Sequence, residues 1–273
     1  MPDITSLQNE KIKTCVRLRE RRERNETQLF LIEGYRELKR ALDAGRKIEE
    51  LYICPDFFLG ENEQELIDQA NAKTYSCTKE VFSKISYRDR PDGLLAIAPQ
   101  KHLLLSDLPR ILTPVKKPFL LIAESIEKPG NLGTILRSCD AAGVHAVIVC
   151  DPTTDIHNPN VVRSSVGTLF TLPILEADGD ETLAFLKKHH IAIAAATPHA
   201  AAEFTCVDFT VPVAIAVGTE QYGLKSNWME QADIQVRIPM FGVADSLNVA
   251  SATTLLLYEV VRQRFSEPCK FEV

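Results

Sequence analysis

The 273-residue chain distributes its apolar positions in two styles. From Pro118 onward there are short, continuous apolar runs: FLLIAE, HAVIVC, IAIAAAT, VAIAVGTE and IQVRIP. A run that is apolar at every position fits a strand covered on both faces, as in a parallel sheet. Between these runs lie NLGTILRSCDAAG and DETLAFLKKHH, and after them comes SLNVASATTLLLYEVVRQRF, each with helical spacing. Alternation of this kind predicts a doubly wound α/β domain over 118–273. Residues 1–100 predict a smaller α/β unit. Its helices are SLQNEKIKTCVRLRERR, YRELKRALDAG and ENEQELIDQANA, and its strands QLFLIEG, IEELYIC and GLLAIAP. The stretch 101–117 is rich in Leu and Pro without a clean period and reads as a linker. There is no internal repeat and no low-complexity tract.

Composition narrows the class. The chain is 45% hydrophobic and 25% charged, as expected for a globular protein with a sizeable core. No apolar run approaches the ~20 residues of a membrane span, and the acidic, polar start is unlike a secretory signal or transit peptide. The 7 cysteines are scattered and form no CxxC pair, so reduced thiols and a cytosolic setting are expected. The 6 histidines show no ligand spacing, and no metal is expected. The net charge of −6 hides an asymmetry: Lys11 to Lys47 holds 12 Lys/Arg against 6 Asp/Glu, hence +6, leaving −12 elsewhere. A basic segment on an acidic protein fits a polyanion partner. It equally fits a solvated helix face with Glu/Arg pairs.

The chemistry concentrates after the apolar runs. GNLGTILR follows a strand where a phosphate loop would sit, yet no two of the 12 glycines are separated by one residue, which removes the dinucleotide fingerprint. GTEQYGLKS, Gly218 to Ser226, misses the P-loop pattern by the extra Leu224. One residue rotates the lysine by ~100° on a helix, which argues against a nucleoside triphosphatase. In the GNLGTILR helix Leu132, Ile135, Leu136 and Cys139 share one stripe, with Arg137 pointing away and Asn131 at the expected N-cap. GTEQYGL brings Glu220, and RIPMFGVADSLNVASA brings Ser246 and Asn248 at the start of the last helix. Each segment follows a strand, at the end where open α/β sheets bind ligands.

Taken in order, the three segments resemble the SpoU/TrmH family of RNA 2′-O-ribose methyltransferases. N-x-G-x-x-x-R is met by Asn131, Gly133 and Arg137, and G-x-E-x-x-G-L by Gly218, Glu220, Gly223 and Leu224. I-P-M-x-G-x-x-x-S-L-N-V is met by Ile238, Pro239, Met240, Gly242, Ser246, Leu247, Asn248 and Val249. The one departure is Ala250, where many relatives carry serine. FLIEGYREL, after the basic helical segment, is similar to the substrate-binding domain of ribosomal-RNA members, itself like an RNA-binding ribosomal protein.

The resemblance implies an α/β fold with a trefoil-knotted, parallel-sheet catalytic domain behind a small RNA-binding domain. It implies S-adenosylmethionine (AdoMet) held at Thr197, Gly218, Ile238, Met240, Leu247 and Ala252. Asn131, Arg137, Glu220, Ser246 and Asn248 form the implied catalytic set, and the family's dimeric state implies a homodimer with the site near the subunit interface. RNA, ribosomal before transfer RNA, is the implied substrate. With the basic segment, this makes Lys11, Lys13, Arg17, Arg21, Arg22 and Arg24 the expected RNA contacts. A non-catalytic RNA-binding protein on the same fold is the competing reading.

Overall fold

The computed structural model describes residues 2–265; Cys269 and the end of the domain expected at 118–273 lie outside them. The chain forms two compact units, one of residues 1–101 with 155–171, the other of 102–154 with 172–273.

In the first unit, α1 (Glu10–Arg17) and α2 (Arg21–Thr27) precede β1 (Leu29–Glu33) and α3 (Tyr35–Asp43). Then come β2 (Glu50–Ile53), α4 (Glu63–Ala70), β3 (Lys73–Ser76), α5 (Lys79–Ile85) and β4 (Leu94–Pro99). The sheet order is β1-β4-β2-β3, with only β2 and β3 parallel. Its core gathers Ile12, Cys15 and Leu18 against Tyr52, Val81, Phe82 and Leu95. The single basic helix expected at the start is two helices. Arg24 explains how the break is tolerated: its guanidinium donates to the carbonyls of Leu18 (2.9 Å) and Arg19 (2.6 Å), which the interruption leaves open.

Residues 155–171, read from sequence as part of the second domain, belong to this first unit. Asp155 pairs with Arg24 at 2.6 Å, the His157 ring lies 4.6 Å from that of Phe30, and Arg40 donates to the Val166 carbonyl. The segment carries α8 (Pro159–Ser164). It supplies the carboxylate that buried Arg24 needs and a carbonyl for half-buried Arg40.

The second unit opens with α6 (Leu108–Leu112), β5 (Phe119–Glu124), α7 (Pro129–Ala141) and β6 (Ala146–Cys150). It continues through β7 (Ile174–Ala177), α9 (Gly179–Lys188), β8 (Ala192–Ala196), β9 (Ala202–Glu203) and β10 (Val213–Val217). It closes with α10 (Ser226–Gln231), β11 (Ile234–Arg237) and α11 (Val249–Phe265). Seven strands form a sheet in the order β7-β6-β5-β10-β8-β11-β9, every pairing parallel. Every residue of β5, β6 and β10 is buried, as their continuous apolar runs required. The stretch expected as a linker is part of this unit: Leu103, Leu105, Ile111 and Leu112 pack on the core and Leu103 bridges Leu175. Its leucines cover the sheet, so they show no period of their own. Strand order reverses about β5, which has β6 on one side and β10 on the other. The loops leaving β5 and β10 therefore diverge from a common crevice, the usual ligand position in such sheets. No helix among the described residues is long and apolar enough to cross a membrane.

Candidate active site

The loop after β5 begins the site. Pro129 takes the first helical position of α7 and Lys128 is the N-cap, so Asn131 sits inside the first turn rather than at the cap. Proline's fixed φ suits that first position. Asn131 is thereby released from capping, and its Nδ2 donates to Glu220 Oε1. Glu220 also accepts from the Lys128 ammonium and, at 3.2 Å, from Asn248 Nδ2. Asn248 Nδ2 lies 3.3 Å from Asn131 Oδ1 as well. Both amide orientations follow, since a carboxylate only accepts. Three of the five expected catalytic residues thus meet in one cluster with Glu220 at its centre. Lys128, which the motif reading missed, is the fourth member; its place beside Pro129 was the only available signal.

Asn248 also caps the last helix. Its Oδ1 accepts from the Ala250 N–H at 3.0 Å and its carbonyl from Ala252 at 2.9 Å. Ser246, expected at the helix start, stands instead in the exposed loop before it and lines the adjoining cavity. Arg137 is not brought to the cluster. Six residues beyond Asn131 place it about 9 Å farther along α7 and on another face. It is exposed, with no hydrogen-bond or ion-pair partner among the described residues.

Beside this cluster lies a cavity of about 550 Å³, within the range of small-molecule sites. Thr197, Gly218, Ile238, Met240, Leu247 and Ala252, the six residues expected to hold the cofactor, all line it. Leu224, Val249 and Leu256 add apolar wall, and Glu220 and Val249 border both cavity and cluster. Gly218 is required by the backbone: Thr219 and Gly223 pair across a tight reversal, and a Cβ at 218 would run into the Gly223 carbonyl. The charged side chains of the lining are the carboxylates Glu220 and Asp245, with no lysine or arginine. Glu220 is paired with the Lys128 ammonium, so Asp245 is the charge left over, and the lining offers no cation to a triphosphate.

The P-loop-like lysine does not serve this cavity. The Lys225 ammonium pairs with Asp151 and lies 3.6 Å from Glu124, while its N–H donates to Glu124 at 2.9 Å. Burial pushes the fully buried Glu124 carboxyl above its usual range, against the pull of Lys225. Burial also acts to raise Asp151, but the Lys225 ammonium and the Gly179 N–H outweigh it and hold that carboxyl low. Lys225 therefore ties the end of the Gly218–Leu224 loop to the strands β5 and β6. No group of three or more His, Cys, Asp or Glu arranged for a metal occurs among the described residues.

The expected RNA contacts divide. Lys11 pairs with Glu50 (2.5 Å), Lys13 with Glu10 (2.7 Å), Arg17 with Glu23 (3.2 Å) and Arg22 with Glu26 (2.7 Å). Arg24 must be removed from the set. It is 1% exposed and committed to Asp155 and two carbonyls, so it has no surface to offer a nucleic acid.

Fold and site define a parallel α/β protein with a cavity of small-molecule size beside an Asn–Glu–Asn cluster. Residues 118–258 match the SpoU rRNA Methylase family and residues 9–96 the MRM3-like substrate binding domain; the chain belongs to the SpoU rRNA methylase family. A 23S rRNA (uridine(2479)-2′-O)-methyltransferase of Streptomyces viridochromogenes is 31% identical over 87% of this chain and 84% of its own. An RNA 2′-O ribose methyltransferase crystal structure superposes with TM-score 0.82 at 42% identity, covering 96% of this chain and 99% of that one. An AdoMet-bound rRNA methyltransferase from Sinorhizobium meliloti superposes with TM-score 0.85 at 30% identity, covering 95% and 97%.

Proposed function

We propose that this protein transfers a methyl group from AdoMet to a ribose 2′-hydroxyl of large-subunit ribosomal RNA. The carrying observation is the cavity lined by all six expected cofactor residues, sharing Glu220 with the Asn131–Asn248 cluster. Leu224, Val249 and Leu256 suit an adenine face. The loops at Gly218, Ile238 and Leu247 would hold the rest of the cofactor, and Asp245 fits its cationic group. When bound, AdoMet supplies an electrophilic methyl on a sulfonium that leaves readily.

The chain's own task is to position the acceptor and manage its proton, because a neutral hydroxyl is a poor nucleophile. Asn131, Ser246 and Asn248 orient the ribose, and Glu220 keeps both amides in place. Arg137 holds the adjacent phosphate and stabilises charge developing on the 2′-oxygen. A guanidinium stays protonated in proteins, so it acts as an electrostatic group rather than as a free base. Its distance along α7 from the cluster is met if a second copy completes the site. Leu255, Tyr258 and Phe265, exposed apolar residues of α11, fit a homodimer through this unit. The trefoil knot of the family and a cytosolic location belong to the same reading.

Transfer of labelled methyl from AdoMet to ribosomal RNA by the purified protein tests the proposal. Mapping 2′-O-methyl sites in RNA from cells with and without the gene then identifies the nucleotide; loss of a transfer-RNA mark alone would redirect the substrate. Arg137→Ala is expected to lower the rate about 10²- to 10³-fold, the cost of removing one oxyanion-type donor, at unchanged AdoMet affinity. A full rate in that variant would remove Arg137 from the mechanism.

A further inference from the structure

The first unit holds a second cavity, of about 830 Å³, at the start of α3. Its walls come from the first turn of α3, from residues on either side of Gly60 and of Asp89, and from Arg163 and Val166 of the segment 155–171. We propose that this cleft binds the phosphate backbone and an unstacked base of a single-stranded stretch of the substrate RNA. The inference rests on the RNA methyltransferase reading above and adds a place, apart from the basic α1–α2 face, where the RNA is held.

Charge pairing carries the argument. The buried acids of the cleft are spent inward: Glu37 on Arg88 at 2.6 Å, and Asp92 on the Tyr35 N–H at 2.8 Å. Glu63 accepts from the N–H groups of Leu59 and Gly60 at 3.0 and 2.9 Å. Arg88 is spent too, donating to the Glu33 carbonyl at 3.0 Å. Arg36, Arg90 and Arg163 remain, all exposed and none paired with a carboxylate among the described residues; Asp89 is the exposed acid beside them. Arg163 is held by Asn160 Oδ1 at 3.0 Å and lies 5.9 Å from the Tyr87 ring centroid, so its fork is pre-set without being neutralised. On α1 and α2, by contrast, Lys11, Lys13, Arg17 and Arg22 each already face a carboxylate.

The lining selects the partner. Three guanidinium forks match phosphate oxygens in number and geometry. Leu59, 84% exposed, offers apolar surface in the lining, and Tyr87, 44% exposed, offers aromatic surface beside Arg163. Unpaired bases seek such surface, whereas a duplex keeps its bases stacked inside. Arg88 Nε and Asp92 Oδ1 are buried without a partner in the wall, an unmet polarity that a bound ligand or water normally offsets.

The test uses the full chain carrying Arg36→Gln, Arg90→Gln and Arg163→Gln together. Arg88 is left alone because its loss would strand Glu37. Binding of the ribosomal RNA fragment and of an unstructured oligoribonucleotide is followed by fluorescence anisotropy over a salt series. AdoMet affinity and thermal melting serve as controls. Expected are unchanged controls, RNA affinity lower by roughly tenfold, and a log–log salt slope shallower by about 2, as three lost single-strand phosphate contacts require. In the wild type the oligonucleotide should compete with the fragment. Unchanged RNA affinity and slope in the variant, with the wild type methylating RNA, would overturn the cleft and leave the enzyme reading intact. Lost oligonucleotide binding in the variant, with a wild type that methylates no RNA, would do the reverse.

Discussion

The two cavities are of similar order in size, about 550 and 830 Å³, and opposite in character. In the second unit, two strand-end loops and the loop before α11 build a wall of backbone, apolar side chains and two carboxylates. In the first, arginines from distant parts of the sequence converge around acids that are already engaged. One cavity is specified by where the backbone can go, the other by which charges are left over after internal pairing. On the two readings proposed above, that difference separates a site for a small cationic cofactor from one for a polyanion, and it predicts how each responds to substitution.

The sharpest way to break the contrast is at Arg24, an arginine of the first unit that sequence alone assigns to RNA. It is buried against Asp155, so Arg24→Met strands a carboxylate and two carbonyls. The expected loss is about 3–5 kcal/mol of stability. Urea unfolding followed by circular dichroism measures it. A variant with an unchanged midpoint and weakened RNA binding would return Arg24 to the surface role and blur the line between structural and ligand-facing arginines.

A smaller effect is expected from the cavity proposed for AdoMet, where the constraint is steric. Gly218→Ala places a Cβ against the Gly223 carbonyl, and that carbonyl is fixed by the Thr219–Gly223 pairing. Overpacking of this kind costs about 1–3 kcal/mol, which read as AdoMet affinity is roughly a 5- to 150-fold loss. Calorimetric titration with AdoMet decides it. Wild-type affinity would mean that the loop is softer than its backbone pairing implies.

The same contrast governs what was legible beforehand. The parallel sheet could be read because strands buried on both faces leave runs such as FLLIAE and VAIAV with no polar interruption. The loop after β10 could be read because a backbone reversal imposes glycine at 218 and a set spacing to Glu220 and Leu224. Short or half-exposed elements were not legible: β3 is the sequence KTYS, partly exposed throughout, and β7 is four residues long. Nor was the attachment of residues 155–171 to the first unit, since it depends on one buried ion pair between Arg24 and Asp155 and on contacts at Phe30 and Arg40. A count of basic residues placed Arg24 with Lys13 and Arg22, and only the fold shows that it is spent internally. Asn131 is not the cap because Pro129 starts the helix and puts the cap three residues earlier, at Lys128, which frees the amide for Glu220.

The smallest expected effect is one of pH, and it differs in sign between the units. In the second, the His145 ring accepts the Phe119 N–H at 3.0 Å, at the first residue of β5. Burial, with Arg264 nearby, holds its pKa below the ordinary 6.5, so the folded ring stays neutral and keeps the lone pair that this hydrogen bond needs. As the pH falls through 6.5 the unfolded chain takes up a proton that the folded chain does not. The contribution is complete above the unfolded value and is lost as the pH drops through the folded one. In the first unit, burial raises the Glu37 carboxyl despite Arg88 beside it. Its contribution runs the other way, present at low pH and lost as the pH rises through the folded value. Urea midpoints of wild type and His145→Gln at pH 7.5, 6.5 and 5.5 isolate the histidine. The wild type should be the more stable at pH 7.5, with the gap narrowing as the pH falls. A gap that stays constant would mean that the ring accepts its proton without leaving the Phe119 N–H, and the support it gives to β5 would then be packing alone.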